Sequence, residues 1–197
     1  MGGHYFSNAA EFLIGIVFGL YILAVMLRFL LQLVRADFYN PVSQFLVKIT
    51  NPVLRPLRRI IPGVGGIDIA SVVLLIALQC AEMVVIRLLP RYTLPTVPGL
   101  AVMAIGQLLG MVVTIFFVSI LVQVVLSWVN PQAAYHNPLA RLVHQLNEPL
   151  LRPLRRIIPS TGGLDLSPLL ASIALALAYM LVVQPIVDLG GMLAYPR

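Results

Sequence analysis

The side chains best placed for chemistry in this 197-residue sequence are four polar residues inside long apolar stretches. Glu82 follows Gln79 by three residues, so both lie on one face of a helix, while Arg28 and Gln123 occupy two other stretches. Arg28 is near enough to the end of its stretch to extend its guanidinium to the headgroups. A charge at the bilayer centre costs about 3 kcal/mol unless it is paired, hydrated or neutralised. Two interpretations stay open: these groups form a buried polar network between helices, or they line a hydrated path for ions or protons.

An arginine-rich segment that occurs twice is the second candidate site. Residues 52–69 and 149–166 are offset by 97 positions, and thirteen of their eighteen residues are identical. Each copy places three arginines beside apolar residues at helical spacing, which predicts an amphipathic helix in the headgroup zone. The shared arginines are Arg55, Arg58, Arg59, Arg152, Arg155 and Arg156.

Arginines in such helices suggest two kinds of contact. Guanidinium groups hydrogen-bond to phosphate, and each arginine near an anionic membrane surface adds about 1 kcal/mol of attraction. We therefore expect the six arginines to contact membrane lipids, above all anionic ones, or a cytoplasmic protein partner. Topology control and anchoring alone is the plainer alternative. Nucleic acid is not expected as a partner, because no aromatic residues for base stacking accompany the arginines.

Asp68 and Asp165 follow a Gly-Gly pair in each copy, just before an apolar stretch. Glycine permits a sharp turn, and the acid can cap the exposed N–H groups of the helix that follows. Pairing with an arginine of the same copy is the alternative role. A metal ion is not expected there, because the neighbouring arginines repel cations.

The rest of the sequence predicts no catalytic residue, cofactor or metal site. His4, His136 and His144 are scattered, and Cys80 has no histidine near it in the sequence. A nucleotide-binding loop and a serine nucleophile elbow are both missing from the sequence. We therefore expect a protein that is not an enzyme.

The composition indicates that membrane helices position these residues. Hydrophobic residues make up 60% of the chain and charged residues 10%, whereas soluble domains are about 45–50% apolar and about 25% charged. Four apolar stretches approach or exceed the roughly 20 residues that a bilayer core requires. They cover residues 12–34, 69–89, 100–129 and 169–187. We therefore predict an all-α membrane protein with four transmembrane helices.

The offset of 97 residues divides the chain into two repeats, residues 1–97 and 98–197. Each contains a helix, an amphipathic basic segment and a second helix, and two crossings per copy make the repeats parallel. Nine basic residues lie between the first and second helices of the repeats, against three at the opposite face. The positive-inside rule then places both basic segments in the cytoplasm and both termini outside.

Local signals predict where helices begin, break and approach each other. Asn40 and Asn137 each precede a proline, a pattern typical of a helix N-terminus, and Asn8 is the expected cap of the first helix. Internal prolines predict that each basic segment is divided into two short helices. The small-residue pairs Gly15-xxx-Gly19 and Gly106-xxx-Gly110 permit close helix packing, inside one chain or in a homo-oligomer.

The doubled motif Leu-Arg-Pro-Leu-Arg-Arg-Ile-Ile-Pro, followed by Gly-Gly, a hydrophobic residue and Asp, resembles the YggT family, also called the YlmG family. The resemblance implies a two-copy integral protein of the bacterial inner membrane. It also implies a link to osmotic-stress tolerance and ion homeostasis, or to division or cofactor assembly in plastid relatives, and it transfers no catalytic residue. We predict a non-enzymatic membrane scaffold or accessory protein in envelope or osmotic homeostasis; the alternative is an ion channel or transporter component.

Overall fold

The computed structural model describes residues 3–89, 94–129, 137–157 and 165–195, with side chains from residue 5 onwards. These ranges are helical apart from short connections. Their helices are α1 (Gly3–Leu33), α2 (Pro41–Ile60), α3 (Ile69–Arg87), α4 (Val97–Val129), α5 (Pro138–Ile157) and α6 (Ser167–Ala194). The predictions made for His4, His136 and the second Gly-Gly pair concern parts that lie outside the described ones.

Four of these helices are long and apolar enough to cross a membrane. They are α1, α3, α4 and α6, and each contains or closely matches one of the predicted apolar stretches. The prediction of an all-α protein with four such helices is therefore confirmed. Helix α4 has 33 residues and is about 50 Å long at 1.5 Å per residue, so it must tilt or project beyond a bilayer core.

Helix α1 differs from the expectation at its start and ends in an uncommon way. It begins at Gly3, so the prediction that Asn8 caps it is wrong, and Asn8 lies inside the helix. At its end, the Ala36 N–H donates to the Leu31 carbonyl (2.8 Å) and the Arg35 N–H to the Gln32 carbonyl (3.1 Å). These two hydrogen bonds form a Schellman motif, and Arg35, with φ of 55°, occupies its left-handed position, which usually carries glycine.

Helices α2 and α5 are each continuous over 20 residues, so the predicted division at the prolines is wrong. The two prolines inside each helix are four residues apart and exposed, so groups outside the bundle, not neighbouring helices, must satisfy the carbonyls that lose their partners. The predicted N-termini are confirmed. Asn40 accepts the Val42 N–H at 3.0 Å, and Asn137 accepts the Leu139 N–H at 2.9 Å.

A tight turn connects α2 to α3. Val64 and Ile67 exchange both backbone hydrogen bonds (3.1 and 3.0 Å), and between them Gly65 and Gly66 have φ of 62° and 83°. Positive φ at both central positions strongly favours glycine, which has no Cβ to strain the backbone. The predicted glycine turn is therefore confirmed in this copy, and it brings the start of α3 back beside the end of α2.

The membrane-crossing helices pack in the order α1, α3, α4, α6. Helix α3 lies between α1 and α4, and α6 runs along α4 for most of its length. A Cβ at Gly106 would lie 2.8 Å from Val187 Cγ2, so the absent side chain lets these two backbones approach. At Gly19, by contrast, no described atom lies within 4 Å of a Cβ position. The second small-residue pair thus packs inside the chain.

Helix α6 contains one π-helical turn, Tyr179–Val183, between α-helical Ser167–Ala178 and Gln184–Ala194. Pro185 follows immediately, and a proline ring would collide with the carbonyl four residues earlier in a regular α-helix. Here the wider π-helical turn precedes the proline, and the Gln184 N–H donates to the Tyr179 carbonyl, five residues earlier. The helix therefore continues past the proline without breaking.

Candidate functional site

Helices α2 and α5 lie at the same end of the bundle, here called the arginine end, and their last turns match in burial. Residues 54–60 and 151–157 show the same order of buried, half-buried and exposed positions. Leu54 and Leu151 are fully buried, which fixes the rotation of each helix against the bundle. The exposed arginines are Arg55, Arg59, Arg152 and Arg156, and the half-buried ones are Arg58 and Arg155. The six predicted contact arginines therefore divide into two structural groups.

Arg58 forms the first ion pair with the residue that precedes α3. Its Nε donates to Asp68 Oδ2 at 3.1 Å, and its Nη2 contacts the same oxygen and Gln32 Oε1. The Ser71 hydroxyl also donates to Asp68 Oδ2. Burial alone would raise the pKa of Asp68, but the hydrogen bonds from Arg58 and Ser71 and the positive charge of Arg58 lower it overall. Asp68 is 5% exposed and remains ionised at neutral pH.

Arg155 forms the corresponding pair ahead of α6. Its Nε donates to Asp165 Oδ2 at 2.9 Å, and its Nη1 donates to Glu148 Oε2 at 3.1 Å. Burial raises the pKa of Asp165, whereas hydrogen bonds from Ser167 and from Arg155 lower it by more. This pair is more open than the first, because the Asp165 side chain is 43% exposed. Both pairs join residues ten apart and tie the arginine helix to the next membrane helix.

The two aspartates differ in the capping role predicted for them. Asp165 Oδ1 accepts the Ser167 backbone N–H at 2.9 Å, which is a capping contact at the start of α6. Asp68 makes no side-chain capping bond at the start of α3. Its carboxylate is occupied by the Arg58 guanidinium and the Ser71 hydroxyl, so the alternative of pairing with an arginine of the same copy describes it better.

Polar contacts at matching positions hold α2 and α5 to the helix that precedes each of them. Thr50 and Asn147 are 97 residues apart, and both are fully buried. Arg28 Nη1 donates to Thr50 Oγ1 at 2.6 Å. Asn147 Nδ2 donates to Gln123 Oε1 at 2.7 Å, and the Ser119 hydroxyl donates to Asn147 Oδ1. Arg28 is 8% exposed, so its guanidinium is held beneath α2 and does not extend along the outside of the bundle as expected.

Gln79 and Glu82 meet as their spacing predicts, and a third helix joins them. Gln79 Nε2 donates to Glu82 Oε2 at 2.8 Å and to Gln107 Oε1 of α4 at 2.9 Å. A cavity of about 220 Å³ adjoins these groups and is also lined by Glu11 and Arg87. The cavity lies at the end of the bundle opposite the arginine end. Arg28 and Gln123 are not part of this cluster, so the four predicted intramembrane residues form three separate sites.

The connections before α2 and α5 contact each other at the arginine end. The Asp37 backbone N–H donates to Gln145 Oε1 at 3.0 Å, and Asn40 Nδ2 donates to the Pro138 carbonyl at 2.7 Å. Arg141 Nη1, in the first turn of α5, lies 3.7 Å from Asp37 Oδ2, which is an ion pair at the same contact. These contacts make the two arginine helices neighbours on one surface.

Sequence reasoning missed Thr50, Asn147 and Glu148 as partners of the predicted site residues. Thr50 and Asn147 occupy the same position of the duplicated segment, four residues before the leucine that both copies share. That placement on the apolar face was the available signal. Among the described residues, no group of three His, Cys, Asp or Glu side chains is arranged to hold a metal ion.

Four apolar helices, with arginine helices at one end between the first and second and between the third and fourth, define a multi-pass α-helical membrane protein. A profile of the CCB3/YggT family matches the chain over residues 7–89 and again over residues 102–186. The chain therefore belongs to the CCB3/YggT family.

Relatives from bacteria match over nearly the whole length. The chain is 47% identical to an uncharacterized protein of Pseudomonas aeruginosa over 187 residues, which is 94% of each chain. It is 36% identical over 186 residues to the uncharacterized protein YggT of Escherichia coli K12, covering 94% of this chain and 95% of that one. No solved structure matches the chain.

Proposed function

We propose that this protein is a non-enzymatic membrane scaffold or accessory protein of the bacterial inner membrane, acting in envelope or osmotic homeostasis. In this proposal the chain is two parallel repeats, and each repeat presents an amphipathic arginine helix to the cytoplasmic leaflet. The observation that carries the proposal is the exposure of Arg55, Arg59, Arg152 and Arg156 on helices whose opposite faces are buried.

The attachment of the arginine helices supports a presenting role. Each helix is held by a fully buried leucine, a buried polar contact to the preceding membrane helix and an Arg–Asp pair to the next one. Four guanidiniums on a fixed frame can contact anionic lipid phosphates at about 1 kcal/mol each. They can also bind an acidic surface of a cytoplasmic protein or of a second copy.

Growth under osmotic stress tests this role. A strain lacking the gene is complemented with wild type or with a variant carrying Arg55→Gln, Arg59→Gln, Arg152→Gln and Arg156→Gln. We expect the variant to insert normally but to fail after hyperosmotic shift. Lys48→Gln, which removes an exposed charge from the same helix surface, is the control and should complement. Full complementation by the fourfold variant, or normal growth of the deletion strain, contradicts the proposal.

Impermeant thiol labelling of whole cells tests the orientation. In a Cys80→Ser background, cysteines at Gly63 and at Arg156 should be protected, because both positions belong to the arginine end. A cysteine at Val97, which is 80% exposed at the opposite end, should be labelled. Labelling of either arginine-end cysteine in intact cells refutes the cytoplasmic placement.

The second candidate function is an ion channel or transporter component, favoured by the polar cavity beside Gln79, Glu82 and Gln107. Ion or proton flux into liposomes that contain purified protein tests it. Glu82→Gln should abolish flux if the carboxylate conducts. Asp188→Asn, a matched change in α6 whose carboxylate contacts Gln184 outside that cavity, should leave flux unchanged. Wild-type protein that gives no flux rules the conducting role out.

A further inference from the structure

A second cavity, at the arginine end, has the lining of an anion-binding site. It measures about 420 Å³ and lies between the last turns of α1 and the first turns of α2. Three guanidinium groups border it, those of Arg28, Arg35 and Arg58, together with the Gln32 amide and the Ser43 hydroxyl. Apolar side chains of both helices complete the wall.

The charges around this cavity do not cancel. Asp68 forms an ion pair with Arg58 and neutralises the charge of that one arginine. Within the described residues, Arg28 hydrogen-bonds only to the neutral Thr50 hydroxyl, and its side chain is 8% exposed. A guanidinium carries five N–H donors, so most of those on Arg28 remain available to a ligand. The cavity therefore holds an excess of about two positive charges.

Ser43 gives an independent indication of a ligand. Its residue is 7% exposed, and its hydroxyl has no hydrogen-bond partner among the described residues. A buried hydroxyl without a partner is uncommon in a folded protein and is destabilising. Since Ser43 borders the cavity on the α2 side, its hydroxyl would donate a hydrogen bond to an oxyanion bound there.

Arg35 brings a third guanidinium to the cavity although its backbone conformation is unfavourable for a residue with a side chain. Its φ of 55° is the region where glycine is preferred and other residues are strained. Helix termination by itself would favour glycine at this position. An arginine that persists in a strained position beside two further arginines points to a use for its side chain.

The site is not a by-product of the duplication. Positions 97 residues after Arg28 and Ser43 hold Val125 and Ala140, so the matching groups are missing from the second copy. The Arg–Asp pairs, in contrast, occur in both copies. The second arginine helix is therefore held in place without counterparts of Arg28 and Ser43.

We propose that this cavity binds a phosphate group through Arg28, Arg35 and Ser43. Guanidiniums and hydroxyls match the oxygens of phosphate in geometry and charge. Two sources present the same chemistry, an anionic phospholipid headgroup and free inorganic phosphate. Arg28 is five residues from the end of α1, about 8 Å along the axis, which is a depth that a headgroup reaches. The site goes beyond the proposed scaffold role, because it uses none of the four exposed arginines.

Two binding measurements on the full chain, purified in an uncharged detergent, test the proposal. Native mass spectrometry counts molecules of dioleoyl phosphatidylglycerol retained by the protein, with dioleoyl phosphatidylcholine as the zwitterionic comparison. Isothermal titration calorimetry measures binding of inorganic phosphate. We expect one tightly retained phosphatidylglycerol, or saturable phosphate binding. Retention that phosphate does not displace identifies the lipid as the source, and displacement by phosphate identifies the free anion.

Variants connect the binding to this cavity. Arg35→Gly removes one guanidinium and suits the left-handed backbone, so it should fold at least as well as wild type while binding roughly tenfold more weakly. Ser43→Ala should also weaken binding. Lys48→Gln removes an exposed charge of α2 that neither lines the cavity nor belongs to the four exposed arginines, and it should bind like wild type. Unchanged binding in Arg35→Gly and Ser43→Ala, an equal loss in Lys48→Gln, or no binding by wild type overturns the proposal.

Discussion

The two Arg–Asp pairs differ in burial, and this difference makes a quantitative prediction. Asp68 is 5% exposed and accepts hydrogen bonds from Arg58 and Ser71, whereas the Asp165 side chain is 43% exposed in its pair with Arg155. Arg58→Ala would leave a buried carboxylate without its counter-charge. Arg155→Ala would leave a carboxylate that water can reach.

The structure sets the size of each effect. Removing one partner of a buried ion pair costs about 3–5 kcal/mol, and we expect about 3 kcal/mol for Arg58→Ala because the Arg58 side chain is itself 35% exposed. Surface pairs contribute about 0.2–1 kcal/mol, so Arg155→Ala should cost less than about 1 kcal/mol. The double variant Arg58→Met with Asp68→Leu should cost less than Arg58→Ala, because no buried charge remains.

Reversible unfolding by SDS in mixed micelles, followed by circular dichroism, measures these differences. The single and double variants at each pair form two double-mutant cycles. We expect strong coupling between Arg58 and Asp68 and weak coupling between Arg155 and Asp165. Equal losses at the two pairs, or a double variant less stable than Arg58→Ala, would refute the argument from burial.

Three further predictions use the same unfolding assay. The pKa of Asp68 is lower in the folded protein than its unfolded value of about 3.9. Ionised Asp68 therefore contributes fully to the free energy of unfolding above that value, and the contribution is lost as the pH falls through the folded pKa. Asp68→Asn should remove this acid dependence. Gly106→Leu should destabilise the protein by about 1–3 kcal/mol, because a side chain there collides with Val187. Gly19→Ala has open space around it and should change stability little. Similar losses of stability in the two variants would contradict the assigned packing. Arg35→Gly should stabilise the fold by about 1 kcal/mol through relief of the left-handed backbone, and a loss of stability would show that the guanidinium also supports the fold.

Several elements could be predicted because their causes are local. Asn40 and Asn137 cap helices through hydrogen bonds that span two residues, and the apolar stretches exclude any structure that leaves backbone groups unpaired in lipid. Gln79 and Glu82 meet because a helical spacing of three places them together. The predicted division of α2 and α5 at their prolines was wrong. The free-energy cost of a proline inside a helix depends on whether the carbonyl that loses its partner finds another one, and the local sequence does not decide this.

The site was only partly predictable, because the rotation of α2 and α5 decides which arginines are free. Arg58 and Arg59 are adjacent, and nothing in their local sequence assigns one to Asp68 and the other to the surface. The choice depends on how Leu54 packs into the bundle. Arg28 shows the same limit, since extension to the headgroups and burial beneath α2 use the same side chain.

The sequence by itself determined the membrane class, the four apolar helices, the duplicated arginine segment and the family. Those features depend on composition, length and short-range spacing, which the chain carries regardless of its packing. Only the tertiary structure decided that two arginines are paired and four exposed, that Thr50 and Asn147 anchor the arginine helices, and that one cavity gathers Arg28, Arg35 and Ser43. These facts depend on contacts between residues distant in the chain, and the free energy of such contacts exists only once the helices have packed.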